Sequence, residues 1–218
     1  RDKLTRIIYF YLGDRLHRIM PTQLQEMQRI MRATLKVRPT KCAYYFDSDE
    51  YQSMISALIA DKKRNALIAQ DVLEHTGDKN GIALVISDRV AHCEELYRMI
   101  SSKGRSVSLL TGAMPTIRRS ELVEQLNGTK DHILVATAQL IGEGFDLKTL
   151  TSIFLATPIK FTGRVKQYIG RILRVSEGKD EAVIYDYVDE NGILKNSFHS
   201  RLLAYEEMGV KILPSYVQ

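Results

Sequence analysis

Only two cysteines, Cys42 and Cys93, occur in 218 residues, far apart and in no metal-like spacing. That excludes a disulfide-built fold and points to reduced thiols in a cytoplasmic protein. The five histidines are scattered with no pair at ligand spacing, so no metal site is expected. No apolar run approaches the roughly 18 residues that a membrane span needs, so a membrane is not an expected partner. The opening RDKLTRIIYFY has no signal-peptide layout and no initiating methionine, so the chain is expected to be a fragment of something longer. Also missing is any G-x-x-x-x-G-K-[S/T] segment: the only Gly-Lys pair, Gly178-Lys179, runs into Asp180 and lacks the preceding glycine. The chain therefore has no glycine-rich loop of that kind to cradle a nucleotide's phosphates and is not expected to hold one firmly by itself.

What is present describes an ordinary globular protein, 44% hydrophobic and 26% charged, long enough for one large domain or a domain with an extension. The 31 Lys and Arg against 26 Asp and Glu leave a net charge of +5, which permits a polyanionic partner. From residue 82 onward short apolar runs recur at Ile82–Ser87, Val107–Leu110, Ile133–Ala136, Ser152–Ala156 and Ala182–Tyr187. Their brevity and β-branched content suit strands buried on both faces. Helical patterns separate most of them: Val90, Cys93, Leu96 and Ile100; then Pro115 through Leu126 with Gly128 as a stop; then Val165 to Leu173. Strands alternating with helices imply an α/β fold with a parallel sheet, whose ligands bind beyond the carboxyl ends of the strands. Before residue 80 the pattern is less regular. Ile7–Leu12 reads as a strand, and apolar stripes starting at Tyr51 and Ala66 read as two helices. Residues 29–41 carry five basic residues and no acidic one, which suits either phosphate tracking or a solvated face.

Two segments carry chemistry. In QYIGRILR (167–174), placed at about 100° per residue, Gln167, Arg171 and Arg174 fall within about 40° of one direction, with Gly170 beside them. Val165, Ile169, Ile172 and Leu173 cover the opposite side, so an apolar face can pack while the other aligns two guanidinium groups. In VATAQLIGEGFD (135–146), a strand runs into Thr137, and two glycines flank Glu143 before Phe145 and Asp146. A threonine at a strand end can donate to a phosphate, the glycines admit a ligand to the backbone, and the aspartate can accept from a ribose hydroxyl.

Together with ALVISDR (83–89) and LLTGAM with its following Arg118-Arg119, these segments, in this order, resemble the second motor lobe of a superfamily 2 helicase of the DEAD/DEAH type. The likeness is nearest to the XPB-type DNA repair helicases and the motor subunits of restriction enzymes. RNALIAQDVL (64–73) and VIYDYVDE (183–190) also resemble that branch. The resemblance implies a RecA-like fold, a parallel sheet flanked by helices, over residues 76–218, with residues 1–75 as inter-lobe linker and N-terminal extension packed on the lobe. It implies that Arg174 is an arginine finger, that Arg171 accompanies it, and that Gln167 orders the γ-phosphate or attacking water. Gly144, Asp146 and Gly170 would border the nucleotide, while Thr137, Thr111, Gly112, Ser87 and Arg89 would face a nucleic-acid backbone, most reasonably DNA. ATP with Mg2+ would be held mainly by a P-loop lobe of the same parent protein. Two acidic segments, KDEAV (179–183) and VDEN (188–191), mimic a magnesium motif but read as turn and surface carboxylates. A catalytically inactive nucleic-acid-binding or partner-docking module stays open as the alternative, although such a module needs no finger. An unrelated α/β nucleotide enzyme would want a glycine-rich loop after its first strand, which SDRVAH (87–92) is not.

Overall fold

The computed structural model describes residues 3–13, 17, 19–41, 50–77, 81–129, 131–141, 145–159, 161–176, 179, 181–190 and 192–213. Among these residues seven strands form one parallel sheet: β1 Ala33–Thr40, β2 Gly81–Ser87, β3 Val107–Leu110, β4 Asp131–Thr137, β5 Leu150–Leu155, β6 Ala182–Asp189 and β7 Lys211–Ile212. Their order is β3-β4-β2-β5-β6-β1-β7. All six adjacent pairs are parallel. The five apolar runs are all strands, with bounds within two residues of those expected.

Alternation explains why the runs read as continuous. On β2, Ile82, Leu84 and Ile86 enter one apolar cluster, while Ala83 and Val85 enter the other, on the opposite face of the sheet. The helices α4 Lys62–Thr76 and α5 Val90–Ser101 cover the second face through Ile68, Val72, Cys93 and Leu96. On the first face lie α7 Thr162–Ile172 and α8 Gly192–Glu207, through Ile169, Ile172 and Phe198, with α6 Thr116–Asn127 adding Leu126. A smaller cluster ties α3 Tyr51–Ala60 to Leu194 of α8, and a short helix, α2 Pro21–Glu26, precedes β1. Gly81 starts β2 with φ +121°, and a Cβ there would overlap the Thr151 side chain.

Three features differ from the sequence expectation. Ile7–Leu12 belongs to a helix, α1 Lys3–Leu12, and not a strand. It has no ladder partner, and a helix satisfies its own backbone groups locally. The basic stretch contains β1, which pairs with β6 along its whole length, so residues ahead of position 76 supply a strand to the sheet. Pro39 is tolerated there because Leu35 O accepts from Leu213 N, so odd residues of β1 turn their backbone groups toward β7, which ends well short of Pro39. Finally, Asp189 of VDEN is not a surface carboxylate: it is 1% exposed and paired with Arg64. Glu181 of the other acidic segment is exposed and accepts from Thr34. Cys93 is a free, buried thiol pushed up to about 12 by burial, and Cys42 lies outside the described residues. Among the described residues no helix is long and apolar enough to cross a membrane, and no group of three metal-ligating side chains converges.

Candidate functional site

The α7 helix divides as its spacing predicts. Val165, Ile169, Ile172 and Leu173 are buried, and Tyr168 adds a hydrogen bond from its hydroxyl to Ala138 O at 3.0 Å. Gln167 and Gly170 are exposed and Arg171 is half-buried. The helix ends at Ile172, however, and Arg174 projects from the turn that follows. The carbonyls at this end are thoroughly engaged. Leu173 O accepts from Met31 N at 2.8 Å, Ile172 O accepts from Lys179 Nζ, and Arg174 O accepts from the same ammonium at 3.2 Å. Lys179 is buried, which pushes its pKa down to about 8. A cation at a helix C-terminus meets the negative end of the dipole, and here it also holds the turn that carries Arg174.

Arg174 pairs through Nη1 with Asp146 Oδ1, both side chains about half exposed. Arg171 lies beside them, its guanidinium 5.9 Å from the Phe145 ring centre. Burial first, and then the neighbouring Arg174 charge, push the Arg171 pKa below its ordinary value, while Asp146 pulls it back. Asp146 is itself placed by Asn127, whose side-chain amide donates to Asp146 O at 3.0 Å and accepts from Lys148 N at 3.1 Å. The structure thus gathers Arg171, Arg174, Asp146 and Gly170 around one helix end. Gly144 lies outside the described residues.

The other candidates lie along the carboxyl edge of the sheet. Ser87 pairs in register with Thr137, and Leu110, just before Thr111, pairs with Ala136. Thr111, Thr137 and Ser87 therefore sit on neighbouring strands at about 4.8 Å steps. Thr111 and Thr137 are mostly covered, and Gly112 is exposed, with nothing within 4 Å of where a Cβ would stand. Ser87 is fully buried: its hydroxyl lies 3.0 Å from His92 Nδ1, and it accepts from Arg89 N at 3.2 Å. Its hydroxyl faces inward and orients the Arg89 amide. The Arg89 side chain donates to Gln52 of α3. Next to it, a pocket of about 200 Å³ contains Asp88, Gln139, Thr157 and Arg164, with Arg164 3.7 Å from Asp88. Burial raises the Asp88 pKa, against the pull of Arg164 and Arg89.

Lys179, Asn127 and Arg164 were not signalled by the sequence. Asn127 and Arg164 act through contacts with separate segments, at Asp146 and Asp88, whereas Lys179 folds back onto carbonyls a few positions before it, a turn that no local pattern announces.

Known proteins match this arrangement. The family described as the helicase conserved C-terminal domain matches residues 62–176, more than half of the chain. The ATP-dependent DNA helicase uvsW of Enterobacteria phage T4 is 27% identical over 151 residues, covering 69% of this chain and 30% of the phage protein. The ATP-dependent RNA helicase RhlB of a Shewanella species is 24% identical over 188 residues, 80% of this chain and 41% of its own. The crystal structure of T4 UvsW superposes with a TM-score of 0.68 at 20% identity, over 84% of this chain and 41% of that one. A fragment described as an HsdR subunit of a type I restriction enzyme from Vibrio vulnificus superposes with a TM-score of 0.72 at 20% identity, over 96% and 41%. The chain spans less than half the length of each of these relatives. The superpositions establish the RecA-like fold of helicase C-terminal domains.

Proposed function

Because the chain belongs to the helicase conserved C-terminal domain family, we propose that it is the second motor lobe of an ATP-dependent helicase or translocase acting on DNA. The Arg174–Asp146 pair carries this proposal: a guanidinium held forward at a fixed helix end by an exposed carboxylate. Exposed pairs of this kind are worth about 0–1 kcal/mol, so Arg174 can exchange Asp146 for a phosphate at small cost. Bound ATP supplies a phosphoryl group for transfer to water, and we place it with Mg2+ mainly on a P-loop lobe of the same parent protein. From this chain, Arg174 reaches across the cleft as the finger, Arg171 adds a second cation, and Gln167 orders the γ-phosphate or the attacking water. Asp146, Gly144 and Gly170 border the nucleotide. A planar guanidinium suits this task better than an ammonium, because it presents a fixed fork of donors to the equatorial oxygens. Supplied from outside the phosphate cradle, it accelerates transfer by roughly 10³–10⁵.

Thr111, Gly112, Thr137 and Arg89 form the second contact surface, holding the nucleic-acid backbone without regard to sequence. Ser87 supports it from beneath by orienting the Arg89 amide. Closure of the two lobes around the nucleotide, and reopening after hydrolysis, moves this edge along the strand. Residues 1–75 lead in from the other lobe, β1 anchoring them in the sheet. DNA is favoured by the phage relative, a DNA helicase by name that matches over 69% of the chain.

The test is ATP hydrolysis by the two-lobe parent with duplex DNA, with RNA and without either, comparing wild type with Arg174→Ala. DNA-stimulated turnover is expected to fall by about three orders of magnitude or more in the variant. Unchanged turnover would move the finger to Arg171. Stimulation by RNA alone would overturn the choice of DNA, and no turnover in the wild type would leave a binding or docking module without catalysis.

A further inference from the structure

The five basic residues of 29–41 have different fates in the fold. Lys36 Nζ donates to the Tyr185 hydroxyl at 3.2 Å, and Arg38 makes a two-point pair with Asp71 at 2.8 Å. Those two are structural. Arg29 is exposed, precedes β1 and has no ion-pair partner among the described residues. It lines a groove of about 360 Å³ with Ile30, Asp146, Lys148, Gly170 and Arg174.

Both walls of this groove are fixed. On one side Ile30 packs on the core and Met31 N bonds to Leu173 O at 2.8 Å, which ties Arg29 to the end of α7. On the other, Asn127 holds the backbone of Asp146 and Lys148. Between them Gly170 has nothing within 4 Å of a Cβ position, so the helix backbone is open to a ligand. Among the described residues three cations, Arg29, Lys148 and Arg174, line this open concavity with one carboxylate, Asp146, an excess of two positive charges. Such an excess is suited to a polyanion carrying several charges at close spacing.

We infer that Arg29 and Lys148 are nucleotide-binding residues that grip the polyphosphate of a nucleoside triphosphate beside Arg174. This rests on the proposed role of the lobe, and it extends the site to a residue ahead of the sheet and to one just beyond Asp146. The two side chains bind the ground state and the transition state alike, so their loss weakens nucleotide affinity without slowing the chemical step.

A fluorescent ATP analogue titrated into the two-lobe parent tests this without requiring turnover. Arg29→Ala is expected to weaken binding about tenfold, as for one charge-assisted contact, with part recovered by Arg29→Lys. Lys148→Ala is expected to act in the same direction, and the double variant further. In Arg29→Ala the rise in KM for ATP should exceed the fall in turnover, and duplex DNA affinity without nucleotide should not move. Unchanged nucleotide affinity in both single variants overturns the inference. So does weaker DNA binding with nucleotide affinity intact, which would assign the groove to nucleic-acid phosphates. Full turnover in Arg174→Ala beside a tenfold loss of affinity in Arg29→Ala would keep the groove and remove the finger. A wild type that binds no nucleotide overturns both.

Discussion

Arg64–Asp189 and Arg201–Asp186 are sealed inside the protein, no side chain more than 1% exposed, whereas Arg174 and Asp146 stand 46% and 53% exposed at the end of α7. The chemical groups are the same in all three. In both buried pairs every guanidinium nitrogen makes at least one hydrogen bond. Arg64 reaches Asp189 at 2.7 Å and Ala156 O at 2.7 Å, and Thr40 donates to the same carboxylate, joining α4, β6, β5 and β1. Arg201 and the Tyr205 hydroxyl of α8 converge on Asp186 at 2.7 and 2.8 Å. Such charges are committed, because no incoming ligand can repay their desolvation. The exposed pair keeps water as an alternative partner and can exchange it for a phosphate. Burial, more than residue type, separates the arginines that hold this lobe together from those that face a ligand.

That contrast can be broken at several strengths. Arg64→Ala should cost about 3–5 kcal/mol, because it strands the Asp189 carboxylate without its partner. Urea titration should show a much lower midpoint, whereas Arg174→Ala, so damaging to turnover, should stay within about 1 kcal/mol of wild type. Equal losses in the two variants would abolish the distinction.

The next effect is on pH. His92 is buried between Ser87 and Asn65, and burial, helped by the Arg64 charge, pushes its pKa down to about 3. Between that value and the ordinary value near 6.5, the unfolded chain binds the proton and the folded chain does not. The contribution of His92 is therefore complete above about 6.5 and is lost progressively as pH falls toward about 3, amounting to about 2 kcal/mol between pH 7 and pH 5. In His92→Gln the decline of stability over that interval should be shallower by about this amount, read as the slope of midpoint against pH. An unchanged slope would show that carboxylates alone set the acid limb.

A smaller loss is expected at Lys179. Lys179→Met leaves Ile172 O and Arg174 O without their buried donor and loosens the turn that carries Arg174. Turnover of the two-lobe parent should fall about tenfold at nearly constant KM for ATP, the pattern of a misplaced finger. A rise in KM alone would instead place the damage in nucleotide binding.

Much of this molecule is readable from local pattern. Five strands and the helices from α3 to α7 appear as periodicity, because each has an apolar face whose spacing reports its backbone geometry. The two faces of α7 followed directly from 3.6 residues per turn, and the buried and exposed sides agree with it. Other elements were hidden. β1 alternates Thr34, Lys36 and Arg38 with Ala33, Leu35 and Val37, and its basic residues lie flat only because Tyr185 and Asp71 receive them. In α1, Ile7, Tyr9, Phe10 and Tyr11 have the composition of a strand, and the structure gives them no strand to pair with. Asp189 looked like a surface carboxylate since nothing near it in sequence announces Arg64, 125 positions away.

The parallel α/β architecture, the family and the chemical groups available to the site are written in the amino-acid order, because local periodicity and the identity of side chains survive without the fold. Tertiary structure alone decided which charges are spent. It sealed Arg64, Arg201 and the Ser87 hydroxyl inside, left Arg174 and Arg29 facing a groove, and set Lys179 behind the turn that carries the finger. Desolvation is the physical reason. Its magnitude depends on what surrounds a group from every direction, and that surrounding is assembled only when distant segments meet.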